Sequence, residues 1–245
     1  WCERRILQRI HRRTLPTLRR QVEAVSPAVY MRWLLGWQHL APQTQLSGED
    51  GVLAALHQLE GFEAPAIEWE RTLLPARVAG YDPRWLDNLC LSGAVGWGRI
   101  SPHPAWFAGG NASTDAPRRV IPTNAAPITF YVRESADWLP HALTQQSVEE
   151  TRLQQALSAE ALQVRVLLQQ RGACFSNDIQ RILSLTRAQT QHALWELATA
   201  GLAAADGFDQ LRAMMDPRRK STTETSTRRT VRSSAGRWSL LSEEL

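Results

Sequence analysis

Twice along this chain, three amphipathic helical stretches are followed by short extended runs, and that recurrence restricts the fold more than any other feature. In the first instance, Ser47 with Asp50 three residues on resembles a capping box, and Val52, Leu53, Leu56 and Leu59 follow at helical spacing as far as Gly61. A second helix starts near Pro65 and carries Trp69 and Leu73. A third opens at Asp82-Pro83, carries Trp85, Leu86 and Leu89, and closes at Ser92-Gly93. Two extended runs follow, 94–100 and 127–133, the second with Ile128, Phe130 and Val132 alternating, and a Gly/Asn/Ser/Thr/Pro-rich stretch at 103–124 reads as a long loop between them.

In the second instance, Ser158 caps a helix with Ala161, Leu162, Val164, Val166, Leu167 and Leu168 that ends at Arg171-Gly172. Phe175-Ser176 leads a short helix with Ile179, Ile182 and Leu183, and Thr186 caps a third through Ala193, Leu194, Leu197 and Ala200 to Gly201. The run 202–211, with Asp206-Gly207 at its centre, reads as two short strands about a tight turn. Three helices and a two-stranded ribbon are the outline of a winged helix. The expected fold is therefore mainly α with short antiparallel β wings (α+β), with winged-helix units at 47–135 (long loop 101–126) and 158–215 joined by a connecting helix or linker at 136–157.

Around these lie three other stretches. Residues 1–46 hold arginine- and tryptophan-rich helices. The first is expected at 2–14, with Ile6, Leu7 and Ile10 on one face and Arg4, Arg5, Arg9, Arg12 and Arg13 around the rest, and Pro16 is expected to end or kink it. The next starts at Ser26-Pro27 and runs to about Leu40, with Tyr30, Leu34 and Trp37 in one stripe and Trp33 one turn from Trp37. Residues 216–236 are Arg/Ser/Thr-rich without periodicity and read as a flexible basic linker. Residues 237–245 read as the truncated start of a further β element, and an opening at Trp1 in mid-helix reads as a piece of a longer chain.

The 245 residues are 43% hydrophobic, enough for a real core. The formal net charge of +4 hides a division. Residues 1–20 hold seven arginines against Glu3, residues 216–237 hold seven basic residues against Asp216 and Glu224, and residues 21–215 carry a net charge of −5. Three widely spaced cysteines without a CxxC exclude a disulfide scaffold or cysteine zinc site and suit a reducing, cytoplasmic compartment. No apolar run reaches membrane-spanning length. No GxxxxGK[ST], HExxH, GxSxG or SxxK is present, so catalysis is not expected from these residues alone.

Binding is the better-supported class. Arginine forks match phosphate oxygens and release counterions, so the first helix reads either as a phosphate-tracking surface or as a solvated face beside a core stripe. Trp33 and Trp37 read either as core or as a stacking platform for single-stranded bases. The third helices offer little for base readout: Arg84 in the first unit, and Arg187, Gln189, Gln191 and His192 in the second.

The chain resembles the DEAD/H-associated region of the large helicase-related (Lhr) family. Trp1-Cys2-Glu3-Arg4-Arg5-Ile6-Leu7, Arg9-Ile10-His11-Arg12, Met31-Arg32-Trp33-Leu34-Leu35, Trp37-Gln38-His39 and Gly61-Phe62-Glu63-Ala64-Pro65 carry the resemblance. It continues through Leu74-Pro75-Ala76-Arg77-Val78, Leu89-Cys90-Leu91-Ser92-Gly93, Trp97-Gly98-Arg99, Leu194-Trp195-Glu196-Leu197 and Ala235-Gly236-Arg237-Trp238-Ser239-Leu240-Leu241.

The resemblance implies a superfamily 2 helicase that couples ATP hydrolysis to 3′-to-5′ movement on single-stranded DNA in repair. The tandem winged helices would resemble the AlkZ-type glycosylase fold. The resemblance places ATP and Mg2+ in RecA-like motor lobes of the parent, none in this fragment, with single-stranded DNA or a 3′-tailed duplex as partner. It assigns base stacking to Trp37, with Trp33 as competitor. With Arg4, Arg5, Arg9, Arg12, Arg13 and Arg32 these form the expected nucleic-acid-binding set. A glycosylase-like repair module and a purely structural clamp orienting the motor lobes are the alternatives.

Overall fold

The computed structural model describes residues 3–21, 24–101, 126–138, 157–215 and 236–241. The loop expected at 103–124, the connection at 139–156 and residues 216–235 of the expected linker lie outside them. The chain divides into two compact units, residues 1–44 and 45–245.

The first unit is helical. Helix α1 (Arg4–Gln21) does not stop at Pro16 but runs through it, a correction to the expected end at residue 14. Pro16 removes the N–H that would bond the Arg12 carbonyl. The flanking hydroxyls tie the same turns, Thr14 donating to the Ile10 carbonyl and Thr17 to the Arg13 carbonyl, each at 2.8 Å. Helix α2 (Pro27–Trp37) starts where its cap signal lies: the Ser26 hydroxyl accepts from the Val29 N–H at 3.3 Å, and Pro27 needs no partner at the first position.

The second unit opens with a small parallel pair, β1 (Leu46–Ser47) on β3 (Val78–Ala79). Between them come α3 (Gly48–Gln58), β2 (Ala64–Pro65), α4 (Ala66–Glu68), a π turn (Trp69–Leu73) and α5 (Leu74–Arg77). The capping box expected at Ser47 and Asp50 does not form: Ser47, the last residue of β1, makes no side-chain cap bond. Helix α6 (Pro83–Leu91) does take its predicted cap, Asp82 accepting from the Arg84 N–H at 2.9 Å. Strands β4 (Val95–Gly98) and β5 (Pro127–Val132) pair antiparallel from Val95↔Val132 to Gly98↔Thr129. With β2 on the far side of β5 the sheet order is β2-β5-β4.

The second winged helix repeats this plan with one departure from expectation. Helices α7 (Ala159–Arg171), α8 (Ser176–Leu183) and α9 (Arg187–Thr199) lie where their caps put them, with Ser158 capping α7 and a full capping box between Thr186 and Gln189 on α9. The wing expected within 202–211 is not a hairpin. Only β7 (Ala203–Ala205) is a strand, and Phe208–Met215 is helix α10, with Phe208, Leu211 and Met215 buried at helical spacing. The partner of β7 is β8 (Arg237–Leu240), so the run expected to open a further element is the central strand of this sheet. With β6 (Cys174–Phe175) the order is β6-β8-β7, the counterpart of β2-β5-β4. Asp206 fixes the register: its N–H donates to the Arg237 carbonyl at 2.9 Å, and its carboxylate accepts from Arg237 Nε at 2.9 Å.

The two winged helices share one core. Phe208, fully buried, lies edge-on to Phe130 at 5.1 Å and to Trp97 at 6.3 Å, and Trp97 meets Trp238 at 6.2 Å. Gly98 leaves room for Leu241, whose side chain would stand 2.9 Å from a Cβ there. Beside this cluster, Arg212 of α10 reaches across to Glu70 of the π turn at 2.6 Å and to Asp87 of α6 at 2.5 and 3.2 Å, its guanidinium 5.1 Å from the centre of the Phe208 ring. Tyr81 adds its hydroxyl to Glu70 at 3.2 Å.

Candidate nucleic-acid interface

The tryptophans divide by exposure. Trp69, Trp97, Trp195 and Trp238 are at most 2% exposed and belong to the core, whereas Trp33 is 57% and Trp37 52% exposed. Helix α2 buries no side chain, although most of its eleven residues are apolar. Trp33 and Trp37 stand 6.0 Å apart with planes only 15° from parallel, and Tyr30 extends the row, 5.9 Å from Trp33 at 33°. Spacings of three and four residues put the three rings within about 60° on one side of the helix. That is a flat, solvent-facing aromatic row, which a base can join by its π face. Tyr30 is half exposed.

Helix α1 presents a second surface. At about 100° per residue, Arg5, Arg9, Arg12, Arg13 and Arg19 fall within an arc of about 120°, with Ile10, Leu7 and Leu18 on the other side and Ile6 at the edge beside Arg13. All these side chains are exposed, the apolar stripe included, so Ile6, Leu7 and Ile10 are not the core stripe they could have been. Arg4 lies off the arc, beside the apolar stripe. Arg32, exposed on α2, points between about 100° and 160° away from the aromatic row and does not join it. Arg19 was hidden from sequence reading by Pro16; the signal that finds it is continuation of the arginine spacing past the proline. Among the described residues, ion pairs engage Arg71, Arg84, Arg181, Arg212 and Arg237, none of them in α1 or α2.

The third helices of the winged-helix units are poorer surfaces. Arg84 is taken up by Asp82 at 2.5 Å, and the Gln189 side chain is spent on the capping box. Arg187, Gln191 and His192 remain exposed on α9.

One cleft of about 460 Å3 opens between the two winged helices, lined in part by Cys90, Ser92, Arg133, Asp206, Arg237 and Ser239. The C-terminal ends of α6 and α7 face it, and their carbonyl ends favour cations. Its carboxylate, Asp206, is held by Arg237. Burial pushes the Cys90 thiol up to about 12, which leaves it protonated and unreactive. Among the described residues no group of His, Cys, Asp and Glu is placed to hold a metal ion, and no helix is long and apolar enough to cross a membrane.

Comparison with known proteins agrees with the winged-helix architecture. A family model described as the winged-helix domain of large helicase-related protein matches residues 25–108, which take in Trp33 and Trp37 but not α1. A curated relative from Mycolicibacterium smegmatis, named Lhr helicase/probable uracil glycosylase, is 30% identical over 98% of this chain. One from Escherichia coli, named Lhr helicase/uracil glycosylase, is 29% identical over 97%. The chain spans 16% and 15% of those two proteins.

Proposed function

Because the chain carries the winged-helix domain of the large helicase-related (Lhr) family, we propose that it is the DNA-engaging accessory part of an Lhr-type, superfamily 2 helicase that moves 3′-to-5′ on single-stranded DNA in cytoplasmic repair. The observation that carries this reading is the exposed, near-parallel Trp33–Trp37 pair. The tracking strand stacks its bases on that row, with Trp37, at its end, as the stacking residue, while Arg5, Arg9, Arg12 and Arg13 hold phosphates. Arg4 and Arg32 add field rather than direct contact, since they point away from the two surfaces. ATP and Mg2+ act in the RecA-like motor lobes of the parent, since the sequence of this chain supplies no phosphate loop.

The test is tryptophan fluorescence of the chain titrated with oligo(dT). Stacking quenches the exposed indoles, and Trp37→Ala should weaken binding by about 1–3 kcal/mol, roughly 5- to 150-fold. Equal affinity for the parent and the Trp37→Ala chain refutes the stacking role. The glycosylase-like alternative draws on the relatives' names and on the cleft between the winged helices; release of uracil from DNA without ATP, by the chain alone, would favour it instead.

A further inference from the structure

We infer that α1 is a conditional helix, folding along the phosphates of a bound single strand and unstable as a helix without them. The inference rests on the proposed function and adds how that site is assembled. Three local features of α1 oppose a free-standing helix. Its first turn carries Arg4 and Arg5 and no acid, which sets positive charge against the positive end of the helix dipole. Arg9 stands three or four residues from Arg5, Arg12 and Arg13, and like charges at those spacings repel. Pro16 lies in the interior. No described side chain of α1 is buried, so its described residues draw little on tertiary packing, the usual source of helical stability in a protein.

A polyanion reverses the two electrostatic objections at once. Phosphates along the arginine arc, about 21 Å long from Arg5 to Arg19, turn mutual repulsion into shared attraction and release counterions. The charge pattern therefore selects the occupant: a nucleic-acid backbone rather than another protein surface. The proline then has a role, because it keeps the free arm from folding prematurely and makes helix formation part of binding.

Hydrogen exchange on the 245-residue chain, with and without oligo(dT) at low salt, tests this. In the free chain the α1 amides should exchange at nearly unprotected rates, while those of α3 and α9 are protected. Oligo(dT) should slow the α1 amides about tenfold or more, and the slowing should vanish in an Arg5→Ala/Arg9→Ala/Arg12→Ala chain. Pro16→Ala should bind oligo(dT) about three- to tenfold tighter, since the helix is then partly formed beforehand.

Protection of α1 before any oligo(dT) is added overturns the inference, because the apolar stripe of Ile6, Leu7, Ile10 and Leu18 then finds cover on protein, this chain's own or a second copy's. Quenching of the exposed indoles with α1 exchange unchanged overturns it too, while leaving the stacking role intact. If oligo(dT) neither quenches nor protects, the proposed function fails along with it.

Discussion

Replacing Arg212 with methionine should destabilise the winged-helix pair while keeping most of the side chain's apolar volume. The guanidinium donates to two carboxylates from two different helical segments, Glu70 at 2.6 Å and Asp87 at 2.5 Å. All three side chains are largely sheltered, with 30%, 18% and 27% exposure. Methionine leaves Glu70 and Asp87 facing each other without a cation. Breaking a fully buried pair costs about 3–5 kcal/mol, and partial exposure reduces that to about 2–3 kcal/mol here. Loss of the guanidinium over the Phe208 ring adds about 0.5–1 kcal/mol.

For a unit of this size the sum corresponds to a fall of roughly 5–16 °C in Tm. Urea unfolding followed by the fluorescence of the buried tryptophans measures it, since two report from the first winged helix and two from the second. The cause is separable from simple loss of packing: adding Glu70→Gln and Asp87→Asn to Arg212→Met should recover more than half of the loss. The effect should not vary between about pH 6 and 9. Burial acts to lower the pKa of Arg212, but its hydrogen bonds with Asp87 and Glu70 outweigh that and raise it. A raised cation pKa contributes stability that is present below its unfolded value and lost only above it, far outside this window. A change below about 0.5 kcal/mol, or a triple variant no more stable than Arg212→Met, refutes the clamp.

Other outcomes follow from single groups. Cys90, its thiol held up to about 12 by burial, should resist alkylation at pH 8 in the folded chain and react once urea unfolds it, as peptide mass mapping can show. Burial, with Asp87 nearby, raises the pKa of Asp209. A raised carboxyl contributes stability below the ordinary carboxylate range and loses it as pH rises through the folded value. Asp209→Asn should therefore stabilise by up to about 1 kcal/mol at pH 7, a gain that disappears near pH 3 in urea titrations. Gly96→Ala drives a Cβ into the buried Tyr131 ring across the β4–β5 ladder and should cost about 1–3 kcal/mol by the same measurement.

What the sequence disclosed and what it hid divide along physical lines. The starts of α2, α6, α7 and α9 are written locally, in a serine, aspartate or threonine whose side chain bonds an N–H two or three residues away. Strand pairing across a long gap has no local mark. Asp206-Gly207 therefore carries the local mark of a hairpin turn although β7 pairs with residues beyond 236, and that mark overlies the helical spacing of Phe208, Leu211 and Met215. Pro16 misled in the same way, since a breaker signal is local and the threonine bonds that accommodate it are not visible as such. At the candidate site, the residue types and spacing of Trp33 and Trp37 were legible. Their exposure was not, because one helix's sequence cannot say what covers it.

Phe208 ties the order of synthesis to the order of folding. The ring that fills the space beside Phe130 leaves the ribosome roughly 80 residues after Phe130 does, a delay of about 4–16 s at common elongation rates. The first winged helix must wait through that interval with an open apolar face, and Trp238 and Leu241 arrive later still. A chain arrested between Phe130 and Phe208 would thus present a chaperone with the unfinished interior of a module that its own sequence signals make look complete.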